Sequence, residues 1–240
     1  MPTPIREPSL IPSRVDLSYY IKYFIKNKIA RRIILVIDII KSSAEHVGHY
    51  EPEKDLIKIE RMARNCYNSP MSDNAQARGE FISKLVKAGH ESVIEHVSVS
   101  FMLTVPRSIS HQIVRHRIGV AYSQQSQRYI DLSKEPLKVI APVPELNASE
   151  LVLWRESVEF AALTYNKLIA SGVRPQQARA VLPNCTATKL GMTANLRAWR
   201  HILKERYLNQ RADPAIRDVM SQVAVKLKEM YPPVFGDIQS

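Results

Sequence analysis

Apolar residues occupy every second position from Val97 to Val105: Val97, Val99, Phe101, Leu103 and Val105 alternate with Ser98, Ser100, Met102 and Thr104. Only an extended strand puts residues i and i+2 on the same side, so this run predicts a strand with one buried face. A sheet is therefore required. Around it the period changes. Residues 51–67 set Leu56, Ile57, Ile59, Met62 and Ala63 at helical spacing, and residues 73–87 do the same with Ala77, Phe81, Ile82 and Leu85.

After Pro106 a helical pattern runs over residues 107–115 through Ile109, Ile113 and Val114, and a short strand is expected at residues 137–141, closed by Pro142 and Pro144. Asn147 with Glu150 three residues on reads as a capping box, opening a long helix that ends at Gly172. Pro175 starts a short helix that Pro183 stops, residues 185–193 read as a strand, and residues 194–208 as a helix. Asp213 followed by Pro214 caps a last helix, whose Ile216, Val219, Met220, Val223 and Leu227 form one stripe. Strands and helices follow no regular alternation. The expected class is α+β, a mixed or antiparallel sheet packed with helices, rather than a doubly wound sheet.

A chain of 240 residues forms one large domain or two small ones. No apolar run approaches the ~20 residues that span a bilayer, and the sequence reads as soluble. Residues 1–14 hold four prolines and should be loose; a short helix is expected at 15–30 and a buried strand at 33–40. No small-residue cleavage site follows that apolar stretch, which argues against a signal peptide. Residues 1–45 are taken as an N-terminal extension and residues 46–240 as a single catalytic domain. Cys66 and Cys185 lie far apart without a CxxC pair, so neither a disulfide framework nor a zinc site is indicated, and a reducing, cytoplasmic setting fits. No two glycines stand in GxG spacing and no GxSxG elbow exists, which excludes a dinucleotide fingerprint, a P-loop and a nucleophile elbow. His90, Glu91, Glu95 and His96 miss the HExxH spacing, and no metal site is expected.

The net charge of +11 attracts polyanions, and one segment concentrates it. Residues 115–129, RHRIGVAYSQQSQRY, are too polar for a core and too patterned for a linker. Gathering like charges costs free energy unless an anion or polar ligand is held there. Arg115, Arg117 and Arg128 supply donors and no acceptor, His116 does either, and Gln112, Gln124 and Ser126 can read a pyrimidine's carbonyls and N–H. A nucleotide site and a solvated basic turn both satisfy this pattern, and so would a basic nucleic-acid-binding protein without flavin chemistry. Elsewhere the plainer readings stand beside the functional ones: His90 as a structural turn residue, Arg179 as a surface charge, Asn195 as a helix cap, Trp199 as core.

The same string closely resembles the signature of flavin-dependent thymidylate synthases. That signature is Arg-His-Arg, seven or eight residues, a serine, one residue, then Arg-Tyr; here it runs Arg115, His116, Arg117, eight residues, Ser126, Gln127, Arg128, Tyr129. Residues 89–96 are similar to the family's GHxSxxEH segment, residues 177–183 to its ARxVLP segment, and residues 195–201 to its NxRxW helix. The resemblance covers about residues 51–231. It implies methylation of dUMP to dTMP, with methylenetetrahydrofolate as carbon donor and FAD reduced by NADPH as hydride source, in a homotetramer with sites between subunits. No cysteine nucleophile, membrane or nucleic acid is implied. Carried over by position, His90, Ser92, Arg115, His116, Arg117, Gln124, Asn195, Arg197 and His201 contact FAD. Gln112, Gln124, Ser126, Arg128, Arg179 and Arg206 hold dUMP. Arg206 and Ser126 are the catalytic expectations, Arg206 favouring the ionised uracil and Ser126 positioning the pyrimidine; Arg211 is the rival to Arg206. The chain departs from the pattern at Gln124 and Gln176, where members often carry glutamate.

Overall fold

The structure, a computed structural model, describes residues 36–239. The helix expected at 15–30 and the first residues of the strand at 33–40 lie outside the described residues.

Four strands form one antiparallel sheet in the order β2 (Ser43–Val47), β3 (Ser98–Pro106), β6 (Ala187–Asn195), β4 (Val120–Gln124). A separate parallel pair joins β1 (Ile37–Ile40) to β5 (Leu137–Ile140). The class is α+β, as the mixed periodicity predicts. Strand β3 shows the expected alternation: Val99, Phe101, Leu103 and Val105 are buried, and Ser100 and Thr104 face the other way. The boundary expected after residue 45 falls inside β2, which pairs with β3 from Ser43↔Thr104 to Val47↔Ser100.

Helices α1 (Pro52–Asn65), α2 (Ala75–Lys87), α6 (Leu196–Leu203) and α7 (Pro214–Met230) cover the buried face. The stripe of α7 is wholly buried from Ile216 to Leu227, and Trp199 is core, its Nε1–H donating to the Val99 carbonyl at 3.0 Å. Helix α4 (Ala148–Ala170) opens on the expected capping box, Asn147 with Glu150, and packs Val158 and Ala162 on the β1–β5 pair in a second, smaller core. Helix α5 (Pro175–Ala178) continues as a 3-10 turn, Arg179–Val181, and a short α8 (Pro232–Phe235) closes the fold.

Three elements depart from the periodicity. Residues 120–124, inside the polar string to which no element is assigned from periodicity, are strand β4: the polar side chains Ser123 and Gln124 obscure the alternation, but the backbone of β6 pairs with them. Residues 43–47, with Glu45 and His46, form an edge strand for the same reason. The helix expected to run to residue 208 stops at Leu203 and widens into a π turn, Lys204–Leu208, closed by the Asn209 N–H on the Lys204 carbonyl at 3.2 Å. Such π turns cluster at functional sites.

Candidate active site

Helix α3 (Arg107–Ile113) leaves the end of β3, and its first N–H groups are satisfied by the loop before β6, Arg107 on the Thr186 carbonyl and Ser108 on that of Asn184. After Ile113 the chain turns through Arg115, His116 and Arg117 and enters β4. Tyr122 on β4 reaches back to that turn, its hydroxyl 2.8 Å from the Ile113 carbonyl and 2.7 Å from that of His116. Burial pushes the Tyr122 phenol up to about 12, so it stays a donor. Gly119 completes the turn at φ +68; its carbonyl takes the Asn195 N–H at 3.0 Å, and a Cβ there would lie 2.5 Å from Asn195 Nδ2. Only glycine meets both demands.

His116, His201 and Arg206 come together. Arg206 donates its Nε–H to His116 Nε2 at 3.1 Å, and the two imidazoles meet edge to face with centroids 5.7 Å apart. Burial first, then the charges of Arg206 and His201, lower the His116 pKa; Glu205 pulls the other way. His116 is therefore a neutral imidazole, with Nε2 accepting and Nδ1 carrying the proton.

Asn195 is the cap of α6, its Oδ1 accepting from the Ala198 N–H at 2.8 Å, while its Nδ2 lies against Gly119. Gln112 donates to Asp213 Oδ2 at 3.1 Å, and Gln124 to Ser110 Oγ at 2.7 Å. Ser126 Oγ accepts the Arg128 N–H at 3.2 Å, and the Arg128 guanidinium stacks on Tyr129. Arg115, Arg117, His201 and Arg128 are exposed, and Ile118 between them is 92% exposed, so within one chain the site is an open surface.

The remaining expected residues stand apart from this group. His90 and Ser92 are exposed around a 3-10 helix, Glu91–His96, that packs on α6. Arg197 pairs with Glu95 at 2.5 Å. Arg179, half-buried, has no described contact with Arg206; its neighbour is Arg107, whose pKa is lowered by burial and then by the Arg179 charge. Arg211 is exposed, and its backbone N–H bonds Asn209. Of the expected departures, Gln176 is exposed on α5, while Gln124 is turned inward.

Comparison with known proteins identifies the family. The sequence profile of the family described as thymidylate synthase complementing protein matches residues 48–233. The chain belongs to the flavin-dependent thymidylate synthase family. A flavin-dependent thymidylate synthase of Mycobacterium tuberculosis (strain H37Rv or ATCC 25618) is 35% identical over 199 residues, covering 75% of this chain and 78% of that protein. A probable flavin-dependent thymidylate synthase of Mycobacterium phage D29 is 31% identical over 212 residues, covering 82% and 89%. Among solved structures, the UMP/dUMP methylase PolB of Streptomyces cacaoi, bound with 5-Br dUMP, superposes with a TM-score of 0.70 at 21% identity, over 83% of this chain and 96% of that one, and shares the fold.

In this family member three residues escaped the sequence reading. Arg107 feels the charge of Arg179 and donates toward the Gln125 carbonyl at 3.4 Å. Tyr122 ties the Arg115–Arg117 turn to β4, and Asp213 fixes Gln112. Arg107 carried a signal as a cation where a strand gives way to a helix after Pro106, Tyr122 lies inside the polar string, and Asp213 was visible only as a helix cap. Among the described residues no three His, Cys, Asp or Glu side chains gather as metal ligands, and no helix is long and apolar enough to cross a membrane.

Proposed function

We propose that this chain methylates dUMP to dTMP, with methylenetetrahydrofolate as carbon donor and FAD reduced by NADPH as the source of hydride. The chain is an enzyme, a flavin-dependent methyltransferase of the family to which it belongs. The observation that carries the finer reading is electrostatic. Arg107, Arg115, Arg117, Arg128, Arg179 and Arg206 have no carboxylate within 4.0 Å among the described residues, a property they share with Arg61, Arg174, Arg211 and Arg217, whereas Arg64, Arg78, Arg155, Arg197 and Arg200 each have one; three of the unpaired group belong to the signature itself. Guanidinium groups left unpaired around one signature are suited to anions.

The donors divide by position. Arg107 and Arg179, near enough for the second to lower the pKa of the first, suit the phosphate of dUMP; Arg128 and Ser126 lie on the loop after β4. Arg115, Arg117, His201 and the Nδ2 of Asn195 are all donors beside an exposed apolar Ile118, a set that fits a flavin with its phosphates. His90, Ser92, His116 and Arg197 complete the proposed flavin contacts. When bound, the flavin supplies the redox chemistry. The chain's part is to orient the pyrimidine and hold negative charge on it, and Arg206, fixed by a neutral His116, is the cation for that task. Cys185, whose thiol burial pushes up to about 11, is protonated at neutral pH and unsuited to nucleophilic attack.

We also infer a homotetramer with sites between subunits. The open signature surface favours it, as does α4, which exposes Leu151, Val152, Leu153 and Leu163. A visible absorption spectrum and a dTMP assay test the reading together. The expected result is a yellow protein that oxidises NADPH only when dUMP is present and yields dTMP with the folate. A colourless protein that takes up neither FAD nor dUMP, and instead binds DNA or RNA in a salt-sensitive way, would overturn it.

A further inference from the structure

A tyrosine hydroxyl holds the segment from Arg115 to Leu132 near each of its ends. At the first end, Tyr122 on β4 pairs with the buried Met192 of β6, on the face turned to the core, so its ring is packed among apolar side chains. Its one proton is shared between the carbonyls of Ile113 at 2.8 Å and His116 at 2.7 Å. The last carbonyls of a helix have no partner within it, and Ile113 is the last residue of α3. One hydroxyl therefore closes the helix and pins the backbone of His116.

At the second end the bond runs the other way. Leu132 donates its N–H to the hydroxyl of Tyr165 at 3.2 Å, and Tyr165, on α4, is only 1% exposed. Leu132 itself packs on the smaller core beside Val158 and Ala162. The loop between is bonded to itself. Ser126 Oγ accepts the Arg128 N–H at 3.2 Å and the Ser126 carbonyl that of Ile130 at 3.4 Å, while Asp131 Oδ1 accepts the Ser133 N–H at 2.9 Å, two side-chain turns in series. Whatever fixes Leu132 thus also fixes the backbone that carries Arg128. Burial raises the pKa of both phenols, so each hydroxyl keeps its proton.

We propose that Tyr122 and Tyr165 are positioning residues that clasp this segment from opposite ends, the Tyr122 hydroxyl setting the Arg115–Arg117 turn for the flavin and the Tyr165 hydroxyl setting the Ser126–Arg128 loop for dUMP. This inference rests on the reading of the site given above and deepens it, since it assigns each ligand an anchor that is not among its proposed contacts. The anchors are independent: Tyr122 stands on a strand over the main core, and Tyr165 on a helix over the smaller one.

Tyr122→Phe and Tyr165→Phe are the informative changes, because phenylalanine keeps the packed ring and removes only the hydroxyl. Dilution of the flavin-loaded protein reads FAD release through the return of flavin fluorescence, and equilibrium dialysis at saturating FAD reads dUMP. Loss of one such hydrogen bond is expected to cost about tenfold, so Tyr122→Phe should raise the FAD dissociation constant by about tenfold and that of dUMP by less than about twofold, and Tyr165→Phe should do the reverse. In the double variant the two losses should multiply, as they do for sites without shared partners. A merely structural hydroxyl would lower the melting temperature and weaken both ligands alike. Variants that weaken both ligands equally, or neither, would sink the inference while leaving the dUMP reading intact. Unaltered protein that holds flavin but not dUMP would defeat that reading, and this inference with it.

Discussion

Arg206 Nε and His116 Nε2 are 3.1 Å apart, and the bond between them requires the imidazole to be neutral. A proton on Nε2 would set two donors face to face. The sign of the pH effect follows. The folded pKa of His116 lies below its ordinary 6.5, so between those two values the unfolded chain binds the proton and the folded chain does not. Stability is fully present above pH 6.5 and is lost as pH falls toward the folded value. His46, lowered chiefly by burial, contributes in the same direction. The measurement is therefore a difference: thermal melts of His116→Gln should fall less steeply between pH 7 and 5 than those of the unaltered protein. Equal slopes would contradict the assignment.

Replacing Arg206 itself separates chemistry from binding. If it stabilises charge on the pyrimidine, Arg206→Ala should lower turnover at saturating dUMP by about 100-fold, the usual cost of removing one such donor. Undiminished turnover would exclude that role and direct attention to Arg211.

Arg107 and Arg179 repel each other in the absence of an anion, and a phosphate between them relieves the cost. Each charge-assisted hydrogen bond to phosphate is worth about 1.5–3 kcal/mol, so Arg107→Ala or Arg179→Ala should weaken dUMP binding by roughly 10- to 150-fold. Flavin absorbance should be untouched, and inorganic phosphate should compete with dUMP less well in either variant. A loss of flavin without loss of dUMP would reverse the division of roles between this pair and the Arg115–Arg117 turn.

What the sequence makes legible here follows from how strongly each pattern is enforced. Strand β3 and helix α7 declare themselves because one face of each is wholly buried, and Asn147 and Asp213 announce helix starts through cap chemistry. Strand β4 does not, since Ser123 and Gln124 sit on the edge of the sheet where no apolar alternation is required. The signature arginines are visible as a charge cluster, but which of them meet is a matter of tertiary placement. Arg107 and Arg179 lie 72 positions apart, and the charge of one reaches the other only because β6 carries the chain back beside β3. Arg197 shows the converse: a residue chosen by motif position is found on Glu95. The π turn at residues 204–208 has no mark in the sequence, since an extra residue per turn leaves composition unchanged.

The buried Arg200 offers a test of how the exposed 3-10 segment is held. Only 2% exposed, it donates to Glu91 at 3.0 Å, to both carboxylate oxygens of Asp237 and to the Val234 carbonyl. Glu91 stands between His90 and Ser92, so this one guanidinium ties the proposed flavin contacts to α6 and the C-terminal turn. Arg200→Met leaves a carboxylate without its partner and should destabilise the fold by about 3–5 kcal/mol. Glu91→Gln keeps a neutral hydrogen bond and should cost far less stability while still loosening the segment. The prediction is that Glu91→Gln weakens FAD binding severalfold with its melting temperature nearly unchanged; intact FAD affinity would detach this network from the site.

Helix α4 places Val152 and Leu153 at 56% and 67% exposure near its start, beside Leu151, while its opposite side seats Val158 and Ala162 on the β1–β5 pair. A helix apolar on both sides has a second surface to cover, and the homotetramer inferred above supplies it. Two glutamates at these positions, Val152→Glu with Leu153→Glu, cost the isolated chain little because the side chains face solvent there. Between subunits they would bury unpaired charge, which is far more costly. Light scattering should therefore show the unaltered protein at four times the chain mass and the double variant at a smaller one, with circular dichroism matching in both. If the active site is shared between subunits, dTMP formation should fall in step with the loss of mass; a variant that stays tetrameric would place the interface elsewhere on the chain.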